Sequence, residues 1–402
     1  MASQLERAQQ ILLDAARTVG TERQALQQCW QRVLAEDIIA GIDFPPFDRS
    51  PLDGYALIAK EVETATAAAP VVLRQIESVA AGEVAKRTVR PGTACRIMTG
   101  APLPAGATGV VRLEDTISRG DWIEVRHGLG ASNNVCRRGD VIGRGERMLS
   151  SGKVINRGVM GTLALLGRSN PMVFKRPRVG LLATGSEIVA IDAQLTPGKI
   201  HDLNSYMLSA QVREAGGEPL FLGVIGDAVE AICQGIDQAV DCDMIVTTGG
   251  VSVGDYDLMR QAFARLGIAL LSENCSMKPG MFLLAGLRNG QLCIGLSGNP
   301  AAAGISFEQI LWPVLLKMGG RKSWRRHSVL GKMAKPYTKG FGPKRFLWAH
   351  SWLDQDDLVV EPLPLRWNGM LRSAMTANSL IAVDENCPPI EKGEDIEVIL
   401  LH

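Results

Sequence analysis

The sequence predicts a multidomain α/β protein. Its parts are a central parallel, doubly wound α/β domain, a mostly β insert, a mixed linking domain and a small C-terminal β domain. Three observations predict this. Between residues 173 and 322, short apolar runs alternate with stretches of helical periodicity, the pattern of parallel strands joined by crossover helices. Between 45 and 133, helical periodicity fades and short β-prone runs take over. Beyond 323, short β runs are punctuated by Pro362, Pro364, Pro388 and Pro389, which suits a small β-barrel or sandwich. The expected domains are therefore 1–44 with 134–172, 45–133, 173–322 and 323–402. At 402 residues and 46% hydrophobic composition, the chain can bury several cores.

Taken in order, Leu5, Ala8, Ile11, Leu12, Ala15 and Val19 recur at helical spacing over 3–19. A second helix is expected through Cys29, Val33 and Leu34. Asp43 to Pro51 is studded with prolines, and residues before proline avoid the helix, so this segment reads as an extended arm. In the insert, Val71–Leu73, Cys95–Met98 and Trp122–Val125 read as strands. A helix is expected near 156–166. The α/β part then begins with the strand Val179–Ala183, followed by a helix near 205–215 that ends at Gly216-Gly217, a fitting C-terminal cap. A strand at 220–224, a helix at 229–239, a strand at 244–246, a helix through 258–266, β runs near 268 and 281–285, a strand at 292–296 and an apolar helix to about 318 complete it. Four short β runs follow, at 346–349, 358–360, 380–383 and 396–400.

Composition narrows the function. The formal net charge is +1, which argues against a nucleic-acid or membrane surface as the main partner. The 8 cysteines form no C-x-x-C pair and the 5 histidines no metal-ligand spacing, so neither a zinc site nor a disulfide framework is signalled. No apolar run is long enough to span a bilayer, and the first residues lack a secretory pattern. The expected compartment is the cytoplasm.

One stretch organises the chain. Met244-Ile245-Val246 is a buried-type strand that ends in Thr247-Thr248-Gly249-Gly250 and runs on to Ser252, Gly254, Asp255 and Asp257. A strand, a glycine-rich turn and a helix start make an anion site, because backbone amides point at the ligand. Carboxylates beside such a site imply a divalent cation between acid and phosphate. Taken alone, the stretch is equally a strand-to-helix turn with solvated caps. Glu187, Asp227, Asp255, Asp257 and Asn299, however, all fall just past expected strand ends. In open α/β sheets ligands bind beyond those ends.

Six separated stretches carry a resemblance. They are Phe47–Ala56, Arg96–Pro102, Thr184–Glu187, Thr248–Asp257, Lys278–Gly280 and Gly298–Pro300. In this order the chain resembles the MoeA family, the molybdopterin molybdenumtransferases, whose animal relative is gephyrin. The resemblance implies a MogA-like α/β domain, a C-terminal β-barrel and a homodimer whose cleft takes residues from the partner's insert. It implies Mg²⁺-dependent insertion of molybdate into adenylylated molybdopterin with release of AMP. It assigns Glu187, Asp227 and Asp257 to the metal. Asp53, Thr99, Asp227 and Lys278 become catalytic. Thr248, Gly249, Gly250, Ser252, Gly298, Asn299, Pro300, Arg372 and Ser373 are assigned to the molybdopterin. A MogA-like adenylyltransferase and molybdoenzyme apoproteins are the implied partners.

The chain departs from the family pattern in places. Met281 stands where the family often has a second lysine, Ser297 where it has proline, and Arg372 where it often has serine. The stretch Cys136–Val141 also differs from the family's arginine-rich pattern. Two functions are thus expected to compete: a molybdenum transferase, and a divergent dimeric scaffold that binds molybdopterin or a partner protein without catalysis.

Overall fold

The computed structural model describes residues 3–129, 133–250, 258–364 and 371–401. The chain divides into two compact units, one of residues 1–36, 151–160 and 169–402, the other of 37–150 and 161–168.

In the first unit a six-stranded sheet runs in the order Glu218–Ile225, Arg178–Thr184, Met244–Thr248, Gln291–Leu296, Leu283–Arg288, Ala269–Glu273. The first four strands are parallel. The fifth turns back antiparallel. Asn289 and Gly290, both at positive φ, form the two-residue turn that lets this hairpin close. The parallel sheet expected from the sequence therefore carries one reversed strand, Leu283–Arg288, next to its edge strand Ala269–Glu273. Alternate residues face opposite layers, as a two-residue side-chain period requires. Leu181, Met244 and Val246 enter one core with Leu208 and Val212 of a helix. Leu182 and Ile245 enter the other with Ile232, Ile236 and Phe263.

The helices around this sheet are α1 (Gln4–Ala15), α3 (Asn204–Glu214), α4 (Val229–Asp237), α5 (Leu258–Arg265), α6 (Pro300–Ser306) and α7 (Trp312–Met318); α2 (Arg157–Leu165) spans both units, and α8 (Leu371–Thr376) packs on α6 and on the later strand Lys344–Asp354. Leu5, Ala8 and Leu12 of α1 pack in the same core as Ile294 of the sheet. Between α6 and α7 one turn, Phe307–Leu311, widens to a π-helix, so the expected single helix over 300–318 is locally unwound.

The helix expected through Cys29 to Leu34 does not form. After a 3₁₀ turn at Leu26–Gln28, Gln31 takes a positive φ and the chain extends. Val33 then bridges Val154, and Leu34 bridges Val173. Long-range pairing of two buried apolar residues outweighs the local helical spacing.

Five strands between residues 328 and 400 form the β-barrel. Strands Lys344–Asp354, Asp357–Pro362, Ser328–Met333, Asp395–Leu400 and Ser379–Val383 pair in that order, and the last pairs with the first to close the ring. Met333, Leu347, Val360, Ile381 and Val398 fill it. A short strand, Met277–Lys278, adds to the barrel in parallel beside Lys344 and Arg345.

The second unit holds a six-stranded sheet in the order Gly109–Arg112, Gly54–Leu57, Thr93–Ile97, Val71–Val79, Trp122–Val125, Thr116–Arg119. Tyr55, Leu57 and Leu73 pack on one side and Ala56, Cys95 and Ile97 on the other.

All eight cysteines are free thiols. Burial pushes the Cys275 and Cys293 thiols up to about 12, and only thiolate reacts. Native protein at pH 8 is therefore expected to leave these two unmodified by iodoacetamide, while unfolded protein is labelled at both. Peptide mapping by mass spectrometry checks it.

Candidate functional site

The sheet order sets the place. From Arg178–Thr184 the chain crosses to Glu218–Ile225 on one side, and then returns to Met244–Thr248 on the other. That reversal lies between Arg178–Thr184 and Met244–Thr248, and the usual ligand position in such sheets is beyond the carboxyl ends of the strands at the reversal. The strand ends are level: Thr184 pairs with Ile225, Ala183 with Thr248, and Thr248 with Leu296.

Four turns meet this rim. Thr184 donates its hydroxyl to the Thr248 carbonyl at 3.2 Å. Gly249 donates its amide to the Leu296 carbonyl at 3.0 Å. Gly249 and Gly250 both take positive φ. A Cβ on Gly249 would stand 2.3 Å from the Thr184 carbonyl oxygen, so only glycine lets these two turns touch. On the far side, Gly298 lies against Gly249. Asn299 accepts the Ala301 amide at 2.9 Å and caps α6, with Pro300 in its first turn.

The acids occupy neighbouring turns. Asp227, just past Ile225, accepts from both the Ser186 amide (2.7 Å) and the Ser186 hydroxyl (2.9 Å), all on its Oδ2. Its other oxygen takes no hydrogen bond among the described residues. Glu187 folds its carboxylate back over Gly185. Ser252, Asp255 and Asp257 lie outside the described residues. Among the described residues no three of His, Cys, Asp and Glu converge on one point. The structure thus brings Glu187 and Asp227 to adjacent turns; the third expected metal ligand is Asp257.

Lys278, Arg372 and Ser373 depend on the barrel. Lys278 is exposed, and its backbone pairs with Arg345. Arg372 is exposed on α8, which packs against α6. Ser373 is buried, and its hydroxyl donates to the Pro364 carbonyl at 3.0 Å. That hydroxyl is engaged by a backbone carbonyl just past the strand Asp357–Pro362.

The second unit holds the other pair. Asp53 Oδ1 accepts from the Thr99 amide and the Thr99 hydroxyl, each at 2.7 Å. The amide bond first, then the hydroxyl and the Arg96 charge, hold the Asp53 carboxyl below its usual range. Gly54 admits this corner, because a Cβ there would meet the Val111 carbonyl oxygen at 1.9 Å.

Two supporting residues escaped the sequence reading. Ser186 anchors Asp227. Asn204, at the start of α3, donates to the Gly298 carbonyl at 2.9 Å and holds the 297–299 turn. Its only sequence signal is the run Asp202-Leu203-Asn204-Ser205 ahead of a helical pattern.

Residues 3–167 match the MoeA N-terminal region (domain I and II), 180–317 a probable molybdopterin binding domain, and 331–401 the MoeA C-terminal region (domain IV). Over 392 residues the chain is 33% identical to the molybdopterin molybdenumtransferase of Bacillus subtilis, covering 95% of this chain and 90% of the relative. The chain belongs to the MoeA family. A Staphylococcus epidermidis molybdopterin molybdenumtransferase is 30% identical over 376 residues, 93% of this chain and 90% of the relative. The crystal structure of a molybdopterin biosynthesis MoeA protein from Pyrococcus horikoshii superposes with a TM-score of 0.86 at 28% identity, over the whole of both chains. Within the MoeA regions, Glu187, Asp227, the 248–250 turn, Lys278 and the 298–300 turn fall in the probable molybdopterin binding domain. Asp53 and Thr99 fall in the N-terminal region, and Arg372 and Ser373 in the C-terminal one.

Proposed function

We propose that this protein is a molybdenum transferase of molybdenum cofactor biosynthesis, which inserts molybdate into adenylylated molybdopterin and releases AMP. The observation that carries the reading is the rim at the sheet's switch point. There a positive-φ glycine pair, the Asn299-capped turn and two carboxylates stand on adjacent strand ends. The Gly249 amide is engaged by the Leu296 carbonyl, which leaves the Gly250 and Gly298 amides as the ones that suit the phosphate of the substrate. Glu187 and Asp227 offer hard oxygen donors on adjacent turns. Magnesium typically takes one or two protein carboxylates and completes its shell with phosphate and water, so the donor set fits. When bound, the ion would supply charge that polarises the phosphoryl group. Lys278 supplies a point charge for an oxyanion.

In this reading the protein works as a homodimer, with Asp53 and Thr99 contributed from the partner's insert. A MogA-like adenylyltransferase would supply the substrate, and molybdoenzyme apoproteins would receive the product. The Asp53–Thr99 contact is built wholly within one compact unit, so it persists whichever protomer it serves. Asp53→Ala and Asp227→Ala chains are each expected to be inactive and to recover activity when mixed as heterodimers, because one cleft is then intact. Subunit exchange without recovery overturns the shared cleft.

Met281 is 50% exposed beside the Lys278 loop, where a lysine would have added a charge. That favours a second reading, a divergent scaffold that binds molybdopterin without turnover. Arg372, exposed on α8 against α6, is proposed to restore part of the charge through its two-point fork. Arg372→Ser is then expected to weaken molybdate binding by roughly tenfold, and Met281→Lys to rescue that variant. Unchanged molybdate affinity in Arg372→Ser, read by calorimetry, removes the compensation.

A further inference from the structure

We propose that Arg326 is a positioning residue that fixes the C-terminal barrel on the α/β layer, and through the barrel sets Lys278 and Arg372 for the oxyanion. Arg326 lies in the connection between α7 and the first barrel strand. Its Nε donates to Glu308 Oε2 at 2.6 Å. Its Nη1 donates to the carbonyl of Leu401, just past the last barrel strand. Its guanidinium sits 3.5 Å from the centre of the Trp312 ring. One side chain therefore ties the helix α6–α7 to the end of the barrel.

The pair is set deep. The Arg326 and Glu308 side chains are 9% and 3% exposed. Glu308 stands in the π turn, and its other oxygen accepts Gln211 of α3 at 2.7 Å. Burial pushes the Glu308 carboxyl up, and the Arg326 charge pulls against it. Replacing such a pair by apolar residues is commonly neutral for stability or better. A planar fork holding three elements at fixed angles provides geometry that an apolar contact does not.

What the barrel carries makes that geometry matter. The backbone of Lys278 is a strand of the barrel sheet. Helix α8, which bears Arg372, packs on both α6 and the strand Lys344–Asp354. The glycine turns and Asn299, by contrast, rest on the α/β sheet itself. Lys278 and Arg372 thus stand on elements packed against barrel strands, whereas the 248–250 turn continues a strand of the α/β sheet.

The inference rests on the proposed reaction only for the ligand named in the kinetic test. Three variants are compared in the full-length chain: Arg326→Lys, Arg326→Met, and the double variant Arg326→Met with Glu308→Leu. The double variant leaves no buried charge unpaired, so it folds even where Arg326→Met does not. In it, the KM for molybdate is expected to rise about tenfold, while the KM for adenylylated molybdopterin changes less than about twofold. Arg326→Lys falls between it and the wild type. A merely structural role would lower the active fraction and so kcat, leaving both KM values alone. Amide exchange is read alongside and is expected to quicken at Lys278 and Leu401, with the barrel strands still protected. Wild-type KM for molybdate and wild-type exchange at Lys278 and Leu401 in the double variant overturn the proposal. Should the wild type itself show no turnover, the transfer reading fails alone, and exchange at those two residues decides the role of Arg326.

Discussion

Replacing Asp227 by alanine is expected to lower turnover at least about 100-fold, on the order of 3 kcal/mol of transition-state stabilisation. Two losses combine. The carboxylate on which Ser186 donates twice disappears, so the 184–187 turn that carries Glu187 is released. One of the two described acids able to hold a cation also goes. Asp227→Asn separates these effects, because its amide oxygen still accepts from Ser186 while the charge is lost. The asparagine variant is expected to keep the wild-type melting temperature and to need a higher magnesium concentration for half-maximal rate. Equal magnesium dependence in wild type and Asp227→Asn would remove the metal role and leave Asp227 as a turn anchor.

Gly249→Ala is the second large effect, and it falls on stability as well as activity. Gly249 sits at φ +98°. The new methyl would stand 2.3 Å from the Thr184 carbonyl oxygen and 2.7 Å from its hydroxyl oxygen. Backbone must move to admit it, and that displaces two strand ends at once. The cost is expected at about 2–4 kcal/mol, from unfavourable φ plus overpacking. Gly250→Ala is the control: φ is +65° and the nearest atom, the Thr184 hydroxyl, is 3.3 Å away. Its cost is expected near 1 kcal/mol, mostly backbone. Urea unfolding of the two variants measures the difference, and equal midpoints would contradict the contact between the turns.

Much of this was legible because buried parallel strands read as unbroken apolar runs. Val179–Ala183 and Met244–Val246 are such runs, and each ends in hydroxyl and glycine residues where the sheet stops. Helix α3 was legible from its Gly216-Gly217 end. Glu187 and Asp227 were legible as positions past strand ends, without their contacts. Segments 29–34 were misread because Val33 and Leu34 take partners more than a hundred residues away. The placement of Lys278 followed no local pattern, since its backbone partner is Arg345 in another domain's sheet. Arg326 was invisible for the same reason. Its partners Glu308 and Leu401 lie on opposite sides of it in sequence, and only the folded chain brings them to one guanidinium.

The most direct test of the transfer reading is AMP release from adenylylated molybdopterin by the purified wild-type protein, with magnesium present and molybdate titrated. The account predicts release that rises with molybdate and saturates, with one molybdenum bound in the product pterin for each AMP freed. Tight binding of the intact adenylylated pterin, with no AMP released at any molybdate concentration, would contradict it and leave a scaffold that holds the cofactor precursor.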